Sequence, residues 1–261
     1  MRFALVIEYD GSRFLGWQSQ SGGKTVQDAV EAALSLVADA PTKVVCAGRT
    51  DTGVHALAQV VHFDTEAVRP LSAWVRGVNA NLPESVAVTH AQVVPEDFHA
   101  RFSATGRHYR YLLLNRPQRA GLAHRRVGWY HRPLDLDLML AAARHAVGEH
   151  DFSAFRSAEC QAKSPVRKLY RFDIGRQDDV YVFDLHANAF LHHMVRNLIG
   201  TLTVIGAGKQ SSNWMAELLA GRDRSLAAPT FSPAGLYLTG VDYDPAWGMK
   251  VGAGETALIC G

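Results

Sequence analysis

"KVVCAGRTDTGVHALAQVVHF", residues 43–63, reads as two strands around a tight connection. "KVVCAG" and "HALAQVVHF" carry the β-branched and apolar residues of half-buried strands. Between them Asp51, Thr52 and Gly53 supply what a turn uses, side-chain bonds to the backbone and one residue free to take positive φ. Working outward, "MRFALVIEYD" reads as a buried strand and "TVQDAVEAALSLVAD" as a helix opened by the capping pair Thr25 and Asp28. Downstream, "LSAWVRGVNANL" fits a helix closed near Pro83, and "VAVTHAQVV" a further strand. The order is β-α-β-β-α-β, the split βαβ or ferredoxin-like unit.

The same order recurs. "RHYRYLLLN" reads as a strand, "LDLMLAAARHAVG" as a helix, "VRKLYRFDIGR" and "VYVFDLHAN" as a hairpin, "FLHHMVRNLIGTLTVIG" as a helix and "GLYLTGVDY" as a strand, with "NWMAELLAG" an additional helix before it. The expected fold is therefore α+β, two ferredoxin-like halves whose sheets run together around a shared cleft. The expected division is residues 1–100, residues 101–245 and a tail, 246–261, without periodicity. No sequence-level repeat accompanies it, so the duplication rests on element order alone.

At 261 residues and 48% apolar content the chain can bury a substantial core. The apolar runs "FALVI" and "LIGTLTVIGA" fall short of the roughly 20 residues that cross a bilayer, and "MRFALVIEYDG" turns polar too early for a signal peptide, which makes the cytoplasm the expected location. Cys46, Cys160 and Cys260 have no C-x-x-C spacing and suggest neither a disulfide framework nor a zinc site. A net charge of +2 does not by itself argue for nucleic acid, but its distribution is uneven. From His99 to Arg132 there are eight arginines and four histidines and no acidic residue, interleaved with Phe102, Tyr109, Tyr111, Trp129 and Tyr130. Guanidinium forks suit phosphate and aromatic faces suit unstacked bases, so the stretch has the composition of an RNA-contacting surface; a solvated charged face is the plainer alternative.

Asp51 has two readings, turn residue and reagent. As a protease triplet it lacks a second Asp-Thr-Gly and follows Arg-Thr where the protease pattern wants apolar residues. A metal site is not favoured: His192 and His193 are adjacent in an expected helix and would face apart, with His186 beyond an element boundary. "GSRFLGW" lacks the ending of a phosphate-cradling loop, and no nucleophile-elbow serine or Cys-His pair appears. What remains is a carboxylate beside Arg49, whose charge favours the ionised, nucleophilic form. An enzyme acting on a base must hold it out of its stack against a wall, for which Tyr109 and Tyr111 are available.

Here the residues go beyond composition. "GRTDTGVHALAQVVHF" resembles the signature of the tRNA pseudouridine synthases of the A type. "YDGSRFLGWQSQ", "FHARFSATGRHYRYLLLN", "DFSAF", "NAFLHHMVRNLIGTL" and "GLYLTGVDY" are similar to further family segments in the same order, over nearly the whole chain. The resemblance implies isomerisation of uridine to pseudouridine at positions 38, 39 and 40 of tRNA, in the anticodon arm. It implies a homodimer and a fold of two similar halves around a central cleft, and no redox cofactor or metal. Carried residue by residue, Asp51 matches the catalytic aspartate and Arg49 the arginine of its motif, which displaces the target base or holds its phosphate. Tyr109 matches the tyrosine that stacks on the flipped uracil and is implicated in proton removal from C5. Arg196 matches the arginine that pairs with the carboxylate, and Leu236 an apolar residue of the pocket. Asp51 would add at C6 of the base or C1′ of the ribose, the glycosidic bond would break, and the rotated uracil would rejoin through C5. A free tyrosine has a pKa near ~10, so stacking is the simpler role for Tyr109. A non-catalytic RNA-binding protein of similar fold would share the basic stretch but would not need Asp51.

Overall fold

The computed structural model describes residues 1–249, so the expected tail beyond Met249, with Cys260, lies outside the described residues. The chain forms two compact units, one of Met1–Thr105 with the segment from Tyr237 onward, the other of Gly106–Leu236.

The first unit contains β1 (Arg2–Tyr9), α1 (Val26–Ala38), β2 (Val45–Cys46), β3 (His55–Asp64), β4 (Val86–Val94) and β10 (Leu236–Tyr243). β1 lies antiparallel to both β3 and β4, and β2 pairs antiparallel with β3. The resulting order, β4-β1-β3-β2, is that of the split βαβ unit read from the sequence. β10 adds parallel to the start of β3, with Tyr237 opposite His55. A last strand that returns to the first half leaves no periodic trace, since its pattern shows only which face is apolar.

Thr25 caps α1 as expected, its hydroxyl accepting from the Asp28 N–H at 3.2 Å and donating to the Asp28 carboxylate. The helix buries Val26, Val30, Ala33 and Leu34. Phe3, Phe63 and Trp74 pack with ring centroids 5.2 to 5.6 Å apart, Trp74 coming from a short helix with a π turn at Ala73–Gly77. The three rings alone supply several kcal/mol of burial, at about 1.5–3 kcal/mol for each large apolar side chain. Trp247 reaches the same unit, 5.5 Å from Phe98, so the beginning of the expected tail is ordered against the core.

In the second unit β5 (Ala104–Asn115), β9 (Val180–Ala187), β8 (Val166–Gln177) and β7 (Gly148–Asp151) are neighbours in that order, all antiparallel. The sequence β5-β9-β8 repeats β1-β3-β2 of the first unit. A short strand, β6 (Gly128–Tyr130), lies parallel to β5. α2 (Leu136–Ala146), α3 (Met194–Gly206) and α4 (Trp214–Gly221) complete it. Along β8 the buried positions run Leu169, Phe172, Ile174, and the step of three is accommodated by an irregularity between Leu169 and Arg171. α2 and α3 approach closely at Gly206, where a Cβ would meet Met139 Sδ at 2.9 Å.

α3 begins at Met194, four residues later than expected, and His193 caps it at φ 63°. His192 and His193 therefore precede the helix rather than face apart on it, and their rings lie 4.1 Å from each other. The expectation failed because an apolar run continues through "FLHHMV" while the backbone there turns left-handed, which apolarity does not reveal.

Candidate active site

In the first unit the segment from Gly48 to His55 is braced by side chains of β1 and β3 and by the loop after β1. Val54 N–H closes a turn on the Asp51 carbonyl at 3.1 Å, with Gly53 at φ 80°, so the turn reading of this segment is correct. Upstream, the Gln59 side chain, fully buried on β3, donates to the Gly48 carbonyl at 2.6 Å and accepts from its N–H. Thr50 is buried and its hydroxyl bonds the Tyr9 hydroxyl at 2.7 Å, while its carbonyl accepts from Trp17 N–H at 3.0 Å. Downstream, His55 Nδ1 accepts from Gly11 N–H at 3.1 Å, and its ring stacks on Tyr237 at 4.6 Å.

Two glycines let the first loop come this close. A Cβ at Gly11 would lie 1.9 Å from the Val54 carbonyl oxygen, and one at Gly16, where φ is +89°, 2.8 Å from the Thr50 oxygen and 3.1 Å from the Asp51 carbonyl carbon. The sequence "YDGSRFLGW" thus forms the wall on which the Asp51 backbone rests. Asp51 itself is half-buried and Arg49 exposed. A carboxylate on a turn fixed by buried side chains meets the requirement that a reacting group be held to within a fraction of an ångström.

The second unit holds Tyr109, Arg196 and Leu236. Tyr109, half-buried on β5 opposite Leu185, meets Phe190 edge-on at 5.1 Å. Tyr111, two residues on and on the same strand face, is fully buried and donates its hydroxyl to the Ser232 carbonyl at 2.8 Å. Gly128 and Gly235 make room for its ring, since a Cβ at either would come within 3 Å of it. Of the two tyrosines offered as a wall, Tyr111 is core and only Tyr109 retains an exposed portion.

Pro229–Leu236 ties these residues to α3. Arg196 Nε donates to the Phe231 carbonyl at 2.9 Å, and Phe231 N–H returns a bond to the Arg196 carbonyl at 3.3 Å. Gly200 allows the Pro229 carbonyl against the helix, where a Cβ would meet it at 2.4 Å. Leu236, at the end of the segment, is 5% exposed. Asn197, absent from the sequence-based candidates, is the knot. It is fully buried, donates to the Phe155 carbonyl at 2.8 Å and accepts from Thr230 at 2.7 Å and Arg224 at 3.1 Å, so it joins "DFSAF" to "MVRN" and to this segment. A polar residue at a buried helical position was the available signal.

The basic stretch is not uniformly free. Arg110 makes a two-point pair with Asp184 at 2.8 and 3.0 Å, and Arg107 donates to the Asn188 carbonyl at 2.9 Å. Arg119, Arg125, Arg126 and Arg132 are exposed, with His124 and His131. At its start His62 Nδ1 accepts from Ala100 N–H at 3.1 Å. Burial, with the charges of Arg2 and His99, pushes the His62 imidazole down to about 4. Of the cysteines, Cys46 and Cys160 are free thiols, and burial pushes Cys46 up to about 12, which makes it inert at neutral pH. No described helix is long and apolar enough to cross a membrane.

The family model described as tRNA pseudouridine synthase matches residues 5–103 and 142–244, a span that takes in Asp51 and its brace, Tyr109 excepted, and Arg196 with Leu236. The chain belongs to the tRNA pseudouridine synthase family, whose members are isomerases. It is 63% identical over 249 residues to the tRNA pseudouridine synthase A of Dechloromonas aromatica, covering 95% of either chain. It is 58% identical to the enzyme of that name from Aromatoleum aromaticum, over 99% of this chain and 97% of the other, and 57% identical to that of Neisseria meningitidis serogroup B, over 95% and 94%. Among solved structures, a chain of a Cbf5–Nop10–Gar1 complex covers 90% of this chain and 48% of its own at 14% identity with a TM-score of 0.41, a likeness too distant to carry an argument.

Proposed function

We propose that this enzyme converts uridine to pseudouridine at positions 38, 39 and 40 in the anticodon arm of tRNA, with Asp51 as the nucleophile. The observation that carries the reading is the brace around Asp51. Tyr9, Gln59, Trp17 and the two close-approach glycines spend buried hydrogen bonds and tight packing on one turn, more than a connection between strands requires. The identity to enzymes named tRNA pseudouridine synthase A over nearly the full chain supports tRNA as the substrate.

In this reading Asp51 adds to C6 of the uracil or C1′ of the ribose. The glycosidic bond breaks, the base turns, C5 bonds to C1′ and the C5 proton leaves, so the product is an isomer and no cofactor is consumed. Tyr109 stacks on the flipped uracil, a base–aromatic contact of about 1–3 kcal/mol. Arg49 assists displacement of the base or holds its phosphate, Arg196 pairs with the carboxylate, and Leu236 lines the pocket. The exposed arginines between residues 119 and 132 hold the tRNA backbone. The enzyme works in the cytoplasm as a homodimer, one protomer gripping the tRNA body while the other presents its site.

Asp51→Asn tests the assignment. Tritium release from C5-labelled tRNA should fall by roughly 10⁴-fold or more while tRNA binding persists. Wild-type turnover by that variant would sink the nucleophile, and a pseudouridine map of treated tRNA without new residues at 38 to 40 would sink the substrate positions.

A further inference from the structure

We propose that Phe102 is a stacking contact for an unpaired base of the tRNA, carried on a rigid turn of the first unit. The proposal rests on the tRNA reading above and adds a contact to it: Tyr109 takes the target uracil in that reading, and Phe102 takes another base. At 75% exposure Phe102 is the most open phenylalanine, tyrosine or tryptophan among the described residues.

The turn that carries it is fixed by hydrogen bonds. The N–H groups of residues 99–103 are all bonded: His99 N–H to Ser103 Oγ at 3.0 Å, Ala100 N–H to His62 Nδ1 at 3.1 Å, those of Arg101 and Phe102 to His99 Nδ1 at 3.2 Å each, and Ser103 N–H to the His99 carbonyl at 2.9 Å. Tyr243 donates its hydroxyl to the Ala100 carbonyl at 2.7 Å. A backbone held this way has little freedom left to lose on binding, so a single contact made from it counts for more.

Behind Phe102 the rings form a column. Phe102 stacks on His99 with centroids 4.3 Å apart and planes at 29°, and His99 meets His62 at 4.8 Å. His62 is buried, His99 half-buried and Phe102 open, so the column runs from the core to solvent. A planar base on the face away from His99 extends it by one ring. The Arg101 guanidinium lies over the Phe102 ring, 5.5 Å from its centroid. Such an exposed contact is worth about 0.5–1 kcal/mol and a base–aromatic stack about 1–3 kcal/mol, so the base displaces it.

The neighbours select a base over a phosphate or a protein. Glu96 and Asp97, exposed just ahead of the turn, offset the charge of Arg101, so a phosphate gains little there. Beside Phe102 in the chain stand Arg101, Ser103 and Thr105, too polar a surround for the apolar centre of a protein interface, whereas one ring suffices for one base.

The test is tRNA binding by full-length wild type, Phe102→Ala, Phe102→Leu and Phe102→Trp at several salt concentrations, with the sedimentation of each. Phe102→Ala and Phe102→Leu should weaken binding by about 5- to 150-fold, Phe102→Trp should keep the wild-type affinity, and all should keep the wild-type slope of log affinity against log salt. Should Phe102→Ala fail to fold, Phe102→Leu decides, since it keeps the apolar bulk and removes only the ring. Wild-type affinity in Phe102→Leu overturns the stack. A slope lowered by about 0.7 to 0.9 would make the contact a phosphate grip, and a changed sedimentation coefficient would make it a protein surface; either overturns the proposal. Wild-type protein that fails to bind tRNA at all would overturn the functional reading instead, and this contact with it.

Discussion

The Asp51 turn and the basic stretch from His99 to Arg132 both carry exposed polar residues, yet they are built in opposite ways. Around Asp51 buried side chains fix the chain by hydrogen bonds: Tyr9 to Thr50, Gln59 to Gly48, His55 to Gly11. In the basic stretch Arg110 pairs with Asp184, Arg107 bonds the Asn188 carbonyl, and Arg119, Arg125, Arg126 and Arg132 have exposed side chains. The contrast fits the physics of the two tasks proposed for them. A nucleophile displaced by 1 Å can lose a hundredfold in rate, whereas attraction to a polyanion sums over many charges and tolerates the loss of any one.

Gly16→Ala attacks the rigid side of this contrast. Its Cβ would press on the Thr50 oxygen and the Asp51 carbonyl carbon at a backbone angle that L-residues avoid, so turnover should fall by about 100-fold with a stability loss of about 1–3 kcal/mol. Gly22→Ala is the control, at φ +112° with nothing within 4 Å of the added atom. It should carry the strain without the loss of turnover, and equal losses in the two variants would mean that the brace does not position Asp51.

The start of the basic stretch depends on a neutral histidine. His62 in the folded protein titrates at about 4, below the ~6.5 of an unfolded chain, so the unfolded state binds the proton first. Stability should be full above pH ~6.5 and fall by about 1–3 kcal/mol as pH drops toward 4, because protonation of Nδ1 removes the acceptor for Ala100 N–H. Urea unfolding at several pH values reads this, and His62→Gln should flatten that part of the profile; an unchanged profile would contradict the role given to His62.

The two tyrosines of β5 sharpen the comparison within one strand. Tyr111→Phe strands the Ser232 carbonyl and should cost about 1–2 kcal/mol of stability with little change in turnover. Tyr109→Phe keeps the ring and should leave both nearly unchanged if stacking is its work, so a large fall in turnover would make its hydroxyl a reagent. Smallest of all, Arg125→Ala or Arg126→Ala should lower the salt slope of tRNA binding by up to about 0.7 to 0.9 with turnover at saturating tRNA retained. A hundredfold fall in saturated turnover from either would erase the distinction between grip and chemistry.

Much of this is legible in the sequence. The α+β class, the order of the first half and the Thr25 cap follow from periodicities and residue preferences that act over a few positions. Asp51 and Arg49 stood out because they break the apolar pattern between two strands. Tyr9, Gln59 and Asn197 did not, since each is an ordinary polar residue until a partner distant in the chain is placed against it. Tyr109 and Tyr111 read alike for the same reason, as a period of two assigns a face but not a depth.

The sequence by itself determined most of the elements and the family, and singled out Asp51 as the candidate carboxylate, because local propensity, pattern and motif are properties of neighbouring residues. Only the tertiary structure decided that β10 returns to lie beside β3, that α3 starts after the paired histidines, that Tyr111 is core, and that Gly11 and Gly16 admit one loop beneath another. Each of these depends on contacts between residues far apart in the chain, where close packing and the satisfaction of buried polar groups select among arrangements that the local pattern leaves equal.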